Sequence, residues 1–248
     1  MMHPLKFVNH RIEEYSLQVD YDPVERTGKV VHNMALIHSD DLEQVIPLCR
    51  DAYASGISVS SMIRFLESGE KAGDYRIPEG FTGVITVCSS TIDGILLHKG
   101  VPLRPIGGGA VEVERRIPRR FIHMILFEHT TIDPLQVLAS QDITSVNSVM
   151  RTGSGIILAN LRECHMEAEP LLSSVLEELA ANSFSGILDV GMPNTPALGV
   201  TVDPQYLGVV AIGGTNPMAA VKEKGFWVQT QAMKGLIDVT ELREIREY

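Results

Sequence analysis

The feature that most constrains this chain is a repeated order of signals. In the first pass, Gly28 precedes a β-branched, apolar run over residues 29–37, which reads as a strand. Ser39-Asp40-Asp41 supplies capping side chains. Leu42, Val45, Ile46, Leu48, Cys49 and Ala52 then recur at three- and four-residue spacing, which predicts an amphipathic helix ending near Gly56. A second strand follows over 83–88. In the second pass, Gly155 precedes a strand over 156–161. Leu171, Leu172, Val175, Leu176 and Leu179 mark a helix ending near Ser185-Gly186, and another strand follows over 186–190.

The two passes align in places. Val30-Val31-His32-Asn33 stands opposite Ile157-Leu158-Ala159-Asn160, and residues 82–87 opposite 185–190. Both later strands run into a hydroxyl- or amide-rich turn, Ser89-Ser90-Thr91 in one and Pro193-Asn194-Thr195 in the other. Both passes reach a glycine cluster, Gly107-Gly108-Gly109 and Gly213-Gly214. Any α/β chain alternates strands and helices, but this shared order favours an internal duplication. The expected fold is α/β, with two related lobes built on mixed sheets. The division that follows is an N-terminal linker or arm over 1–27, a first lobe over 28–113, a connecting segment over 114–150 and a second lobe over 151–248. Within the connector, Phe121 to Phe127 reads as a strand and Asp133-Pro134-Leu135 as a helix start, placed between the lobes or at a dimer surface.

Composition removes several function classes. No apolar run approaches the roughly eighteen residues of a membrane span, and the first residues lack the apolar centre of a signal peptide. A cytoplasmic protein with no membrane partner is expected. With 21 Lys plus Arg against 31 Asp plus Glu, the formal charge is −10, which repels a phosphate backbone. The densest basic cluster, Arg115-Arg116-Ile117-Pro118-Arg119-Arg120, reads as a solvated face. Three cysteines at 49, 88 and 164 form no C-x-x-C pair, and eight histidines show no metal-ligand spacing, so neither a disulfide framework nor a metal site is expected.

Candidate chemistry gathers at strand ends, where α/β proteins place their sites. Cys88 closes a strand and leads into Ser89, Thr91 and Asp93, with Thr86 two residues before it. It is either a functional thiol or a small buried hydrophobe, and no basic neighbour in sequence lowers its pKa. The glycine clusters allow close backbone approach to a ligand or simply turn the chain. Asn216-Pro217 opens a helix whose N-terminus favours an anion. Residues 208–215 approach a phosphate-binding loop but carry Gly214 where that loop needs Lys. Arg104, Arg151 and Arg162 could each pair with an anion or lie on the surface. No set of these residues forms a catalytic constellation, so no enzyme is expected.

Longer stretches carry a resemblance. Residues 85–97 (ITVCSSTIDGILL), Gly100-Val101-Pro102 running to the triple glycine, Thr130–Leu135, Thr152-Gly153-Ser154-Gly155 through Asn160, and Gly191-Met192-Pro193-Asn194 together resemble the effector-sensing domain of the NrpR family of archaeal nitrogen-responsive repressors. The resemblance runs from about Arg11 to Gly235. It implies a regulatory domain of a transcriptional repressor of nitrogen metabolism, acting as a homodimer. The implied effector is 2-oxoglutarate, relayed allosterically to a DNA-binding domain. Too few residues precede the matching region for a winged helix, so DNA contact is expected only through a domain outside these residues. The ligand-binding residues expected on this reading are Thr86, Cys88, Ser89, Thr91, Asp93, Gly107, Gly108, Gly109, Asn194, Thr195, Gly213, Gly214 and Asn216, with no cofactor and no metal. The alternatives are a small-carboxylate enzyme using Cys88 as nucleophile and a ligand-independent co-repressor.

Overall fold

The structure, a computed structural model, describes residues 5–248, so the first four residues of the expected N-terminal arm lie outside the described residues. The first half of the chain runs α1 (Val8–Ser16), β1 (Lys29–His38), α2 (Leu42–Ala54), β2 (Met62–Leu66), a small hairpin of β3 (Lys71–Ala72) and β4 (Tyr75–Arg76), β5 (Phe81–Val87), α3 (Ser90–His98), β6 (Arg104–Glu114) and β7 (Ile117–Leu126). Two short helices follow, α4 (Pro134–Ser140) and α5 (Val146–Thr152). The second half repeats the plan as β8 (Gly155–His165), α6 (Glu169–Ala181), β9 (Ile187–Val190), β10 (Tyr206–Ile212), α7 (Asn216–Glu223), β11 (Gln229–Asp238) and β12 (Arg243–Glu244).

Two five-stranded sheets carry the fold, ordered β11-β1-β5-β2-β12 and β7-β6-β8-β10-β9. Their strand pairs are antiparallel, rather than the mixed sheets that alternating strands and helices suggest. The reason lies in one strand of each half, β5 and β10. β1 and β2, joined through α2, run parallel to one another, as a helical crossover requires. β5 then inserts between them, antiparallel to both. β10 does the same between β8 and β9.

The expected lobe boundaries need correction. β6 belongs by sequence to the first half, yet it pairs along its length with β8 of the second sheet. β11 belongs to the second half, yet it pairs with β1 of the first. Each half therefore donates two strands to the other's sheet, β6 and β7 in one direction and β11 and β12 in the other, and no cut at 113 or 150 separates two bodies. Apolar periodicity is satisfied equally by either sheet, so it could not reveal this exchange. The expected arm is corrected as well. Val8 and Ile12 of α1 are buried, and the Val8 amide donates to the Thr130 carbonyl at 2.9 Å, so this segment is a helix of the core rather than a linker.

Hydrogen bonds define which residues of the two halves correspond. Val31 of β1 gives its amide to Thr91 Oγ1 at 3.0 Å and receives that hydroxyl on its carbonyl at 3.2 Å. Leu158 of β8 does the same with the Asn216 amide group, both bonds at 2.9 Å. The Cys88 amide reaches the Val31 carbonyl and the Gly213 amide the Leu158 carbonyl, each at 2.8 Å. The match of Val31 with Leu158 agrees with the sequence alignment. The counterpart of Cys88-Ser89-Ser90-Thr91 is Gly213-Gly214-Thr215-Asn216, not the turn around Asn194. β5 thus corresponds to β10 and not to residues 185–190.

The core follows the same exchange. Val45 and Cys49 of α2 share one apolar cluster with Ala35 and Ile37 of β1 and with Met218 and Val221 of α7, which comes from the other half. On the other side, Ile92, Ile95 and Leu96 of α3 join Leu172, Val175 and Leu179 of α6. Burying apolar area stabilises by roughly 25 cal/mol per Å², and here that area is shared by both halves.

Candidate functional site

The two corresponding loops, one after β5 and one after β10, meet where the halves touch. Thr86 Oγ1 donates to the Gly214 carbonyl at 3.1 Å, and Asn160 of β8 donates to Ser89 Oγ at 3.0 Å. Asn33 of β1 bridges to β11 by accepting from the Met233 amide at 3.2 Å. A Cβ on Gly214 would lie 2.5 Å from the Val87 carbonyl oxygen and 2.6 Å from Asn33 Nδ2, so the loops reach this approach only with glycine there.

Behind the contact sits a buried ion pair. Arg162 of β8 and Asp93 of α3 have side chains only 2% and 3% exposed. Arg162 Nε donates to Asp93 Oδ1 at 2.9 Å and Nη2 to Oδ2 at 2.7 Å, a planar fork matched to a carboxylate. Nη2 also donates to Ser89 Oγ at 3.2 Å. Burial alone would pull the guanidinium down, but the Asp93 carboxylate outweighs it and holds the Arg162 pKa above its ordinary value. Arg162 is therefore a permanent cation. Its third nitrogen, Nη1, is buried without a hydrogen-bond partner among the described residues, as is the hydroxyl of Thr215.

Arg162 and Thr215 line one small cavity, together with Asn33, Cys88, Ser89, Asp133 and Asn160. The cavity measures about 10 Å³, at the threshold for a single water. Burial pushes the Asp133 carboxyl up, while the amides of Gln136 and Leu135, which it caps at the start of α4, pull it down. Burial also pushes the Cys88 thiol up, against the hydrogen bond it shares with Ser90 Oγ at 3.0 Å. A protonated, buried thiol is a poor nucleophile, which removes the main support for a Cys88-based enzyme. The lining thus offers a fixed guanidinium, the Asp133 carboxyl and several neutral hydroxyl and amide groups.

A family model described as "NrpR regulatory domains NRD1 and 2" matches residues 5–244. The chain belongs to this family. It is 33% identical to the global nitrogen regulator NrpRI of Methanosarcina mazei over 96% of this chain and 73% of that protein. It is 31% and 30% identical to the global nitrogen regulators NrpR of Methanococcus maripaludis and Methanocaldococcus jannaschii, over 90% and 93% of this chain but only 38% of each relative. A crystal structure of a nitrogen repressor-like protein from Methanococcus jannaschii matches with a TM-score of 0.83 at 27% identity, covering 98% of this chain and 100% of that one. These relatives are named as regulators, and this NrpR regulatory domain is not an enzyme.

Of the residues expected from sequence, Cys88, Ser89 and Gly214 line the cavity of this NrpR domain, and Thr86 braces Gly214 beside it. Thr91 and Asn216 tie helix starts to β1 and β8, Asp93 holds Arg162 from behind, and the Gly213 amide is spent on Leu158. Gly107, Gly108 and Gly109 need correction, because they lie inside strand β6 rather than in a loop. A Cβ on Gly109 would meet the His123 carbonyl oxygen at 2.2 Å, and one on Gly108 would meet Pro134 Cβ at 2.9 Å, so these glycines let the neighbouring strand β7 approach β6 closely and let α4 pack on the sheet. Asn194 and Thr195 lie in a separate turn, where Asn194 Oδ1 accepts from the Gln205 amide at 2.7 Å and Thr195 Oγ1 donates to the Met192 carbonyl at 2.7 Å.

Asn33, Asp133, Asn160 and Thr215 were not among the site residues expected from sequence, and Arg162 was only one of three arginines that could pair with an anion. One signal does point to Arg162: it stands within a strand buried over residues 157–164, where an unpaired charge would be prohibitive. Arg104, the alternative cation, is engaged by Glu163 and Asp203. Among the described residues, no helix is long and apolar enough to cross a membrane.

Proposed function

We propose that this chain is the effector-sensing domain of a nitrogen-responsive repressor, and that it binds 2-oxoglutarate at the Arg162 cavity. The observation that carries this reading is a buried guanidinium that lines the cavity and whose Nη1 has no hydrogen-bond partner among the described residues. An unsatisfied donor of that kind costs on the order of 1–3 kcal/mol, a cost that an arriving carboxylate removes. Ser89, Asn160 and Thr215 supply neutral donors for the remaining oxygens. The cavity lies where the halves touch, so a ligand that forces it open changes how β5, β10 and the exchanged strands sit together. That gives ligand-bound and ligand-free states different contacts, as coupling requires. Couplings on the order of 1–3 kcal/mol shift DNA affinity several-fold to about a hundredfold. The signal passes to a DNA-binding domain outside these residues, in a cytoplasmic homodimer.

Calorimetric titration with 2-oxoglutarate tests the reading, with glutarate as control and with Arg162→Lys and Cys88→Ala variants alongside. Arg162→Lys keeps a cation for Asp93 but loses the planar fork. Binding by the wild-type protein that weakens at least tenfold in Arg162→Lys and little in Cys88→Ala is the expected outcome. Absence of binding at millimolar ligand overturns it in favour of a ligand-independent co-repressor.

A further inference from the structure

The inner cavity is too small for a dicarboxylate, but it adjoins a second space. An outer pocket of about 210 Å³ opens to the surface between α4, α7 and β11. Its walls include Gln136, Thr215, Met218, Lys222 and Gln229. Thr215 lines both spaces, and its hydroxyl is buried with no hydrogen-bond partner among the described residues. The walls continue from one space to the other: Leu135 faces the inner cavity and Gln136 the outer pocket, and Met233 and Gln229 divide β11 in the same way. A cation stands at each end. Arg162 lies inside, and Lys222 lies outside on the last turn of α7.

We propose that the outer pocket is the subsite for the far carboxylate of the effector, with Lys222 as its cation. The inference rests on the effector reading above. The 2-oxo acid end meets Arg162, its keto oxygen accepts from Thr215 Oγ1, and the chain passes Thr215 to bring the second carboxylate to Lys222. The Lys222 ammonium now donates to the Ala139 and Ser140 carbonyls at 2.9 and 3.4 Å and pairs with Asp142 at 2.7 Å, which is exposed. These are the last residues of α4 and its continuation, so Lys222 is also what fastens that helix to α7. A ligand carboxylate competing for Lys222 displaces Asp142 and loosens α4, the helix whose N-cap, Asp133, lines the inner cavity. Binding at the two ends thereby acts on one helix.

The test compares 2-oxoglutarate with 2-oxopentanoate, which keeps the 2-oxo acid and lacks the far carboxylate. Affinities are measured by calorimetry for the wild-type protein, Lys222→Met and Asp142→Asn. Wild type is expected to favour 2-oxoglutarate by about tenfold or more, the yield of one charge-assisted contact. Lys222→Met should lose most of that preference while binding 2-oxopentanoate as before. Retained 2-oxopentanoate binding shows that the variant is folded. Asp142→Asn frees Lys222 without removing it, and should tighten 2-oxoglutarate a few-fold with no effect on 2-oxopentanoate. An unchanged preference in both variants overturns the subsite while leaving the effector reading intact. Equal loss of both ligands in Lys222→Met, with no gain in Asp142→Asn, also overturns it. Failure of wild type to bind either ligand removes both readings together.

Discussion

Replacing Asp93 with alanine leaves the Arg162 guanidinium buried with a single remaining partner, Ser89 Oγ. The pair is nearly dry on both sides, with side-chain exposures of 2% and 3%, so solvent does not take over the lost contacts. Breaking a buried pair from one side costs about 3–5 kcal/mol, because a charge stays behind uncompensated. For a chain of this size, that corresponds to a fall in Tm of roughly 6–20 °C. Removing both partners is different. In the double variant Asp93→Leu, Arg162→Met, the desolvation cost goes with the charges, and apolar groups of similar volume restore most of the stability. Urea denaturation of wild type, single and double variants separates the cases. Recovery in the double variant should coexist with complete loss of 2-oxoglutarate binding, which shows that the pair is kept for recognition rather than stability. A single-variant cost under about 1 kcal/mol, the range of exposed pairs, would refute the reasoning.

Other consequences follow from the same geometry. Gly214→Ala places a methyl group against the Val87 carbonyl and should destabilise by about 1–3 kcal/mol in chemical denaturation while weakening ligand binding. His32 is buried and its pKa is depressed by burial from 6.5 to about 4, so between these values the unfolded chain binds more protons than the folded one. Its contribution to stability is therefore complete above about pH 6.5 and falls by about 3 kcal/mol as pH drops to 4. His32→Asn should flatten that part of the stability–pH curve relative to wild type. Cys88, buried and held protonated, should resist thiol reagents in native protein and react once denaturant is added. Truncation after Gly225 removes β11 and β12, leaves β1 as an unpaired edge, and should abolish cooperative unfolding monitored by circular dichroism.

The sequence exposed the local elements well and their assembly poorly. The strands at 29–37 and 156–161, the helix after Ser39-Asp40-Asp41 and the helix marked by Leu172, Val175 and Leu179 are each set by spacing within a dozen residues. The pairing of Val31 with Leu158 was legible because it sits at the start of each copy. The exchange of β6 and β11 was not, because a strand's inward face reads the same whichever sheet receives it. Gly107, Gly108 and Gly109 looked like a loop for the same reason. Their neighbours, Phe121, His123 and Pro134, come close only through tertiary packing. At the site, Cys88 and Ser89 were visible as a strand end. Arg162 acquires its meaning only from Asp93, 69 residues away. Asn33 and Asn160 sit mid-strand, where polar residues give no local signal of a site.

The central claim is that Arg162 receives the effector where the two halves of the domain meet. Crystals grown with saturating 2-oxoglutarate test it most directly. A carboxylate within hydrogen-bond distance of Arg162 Nη1, an enlarged cavity beside Thr215 and a displaced α4 are expected. A ligand bound elsewhere, with the Arg162 cavity still closed at about 10 Å³, would contradict it.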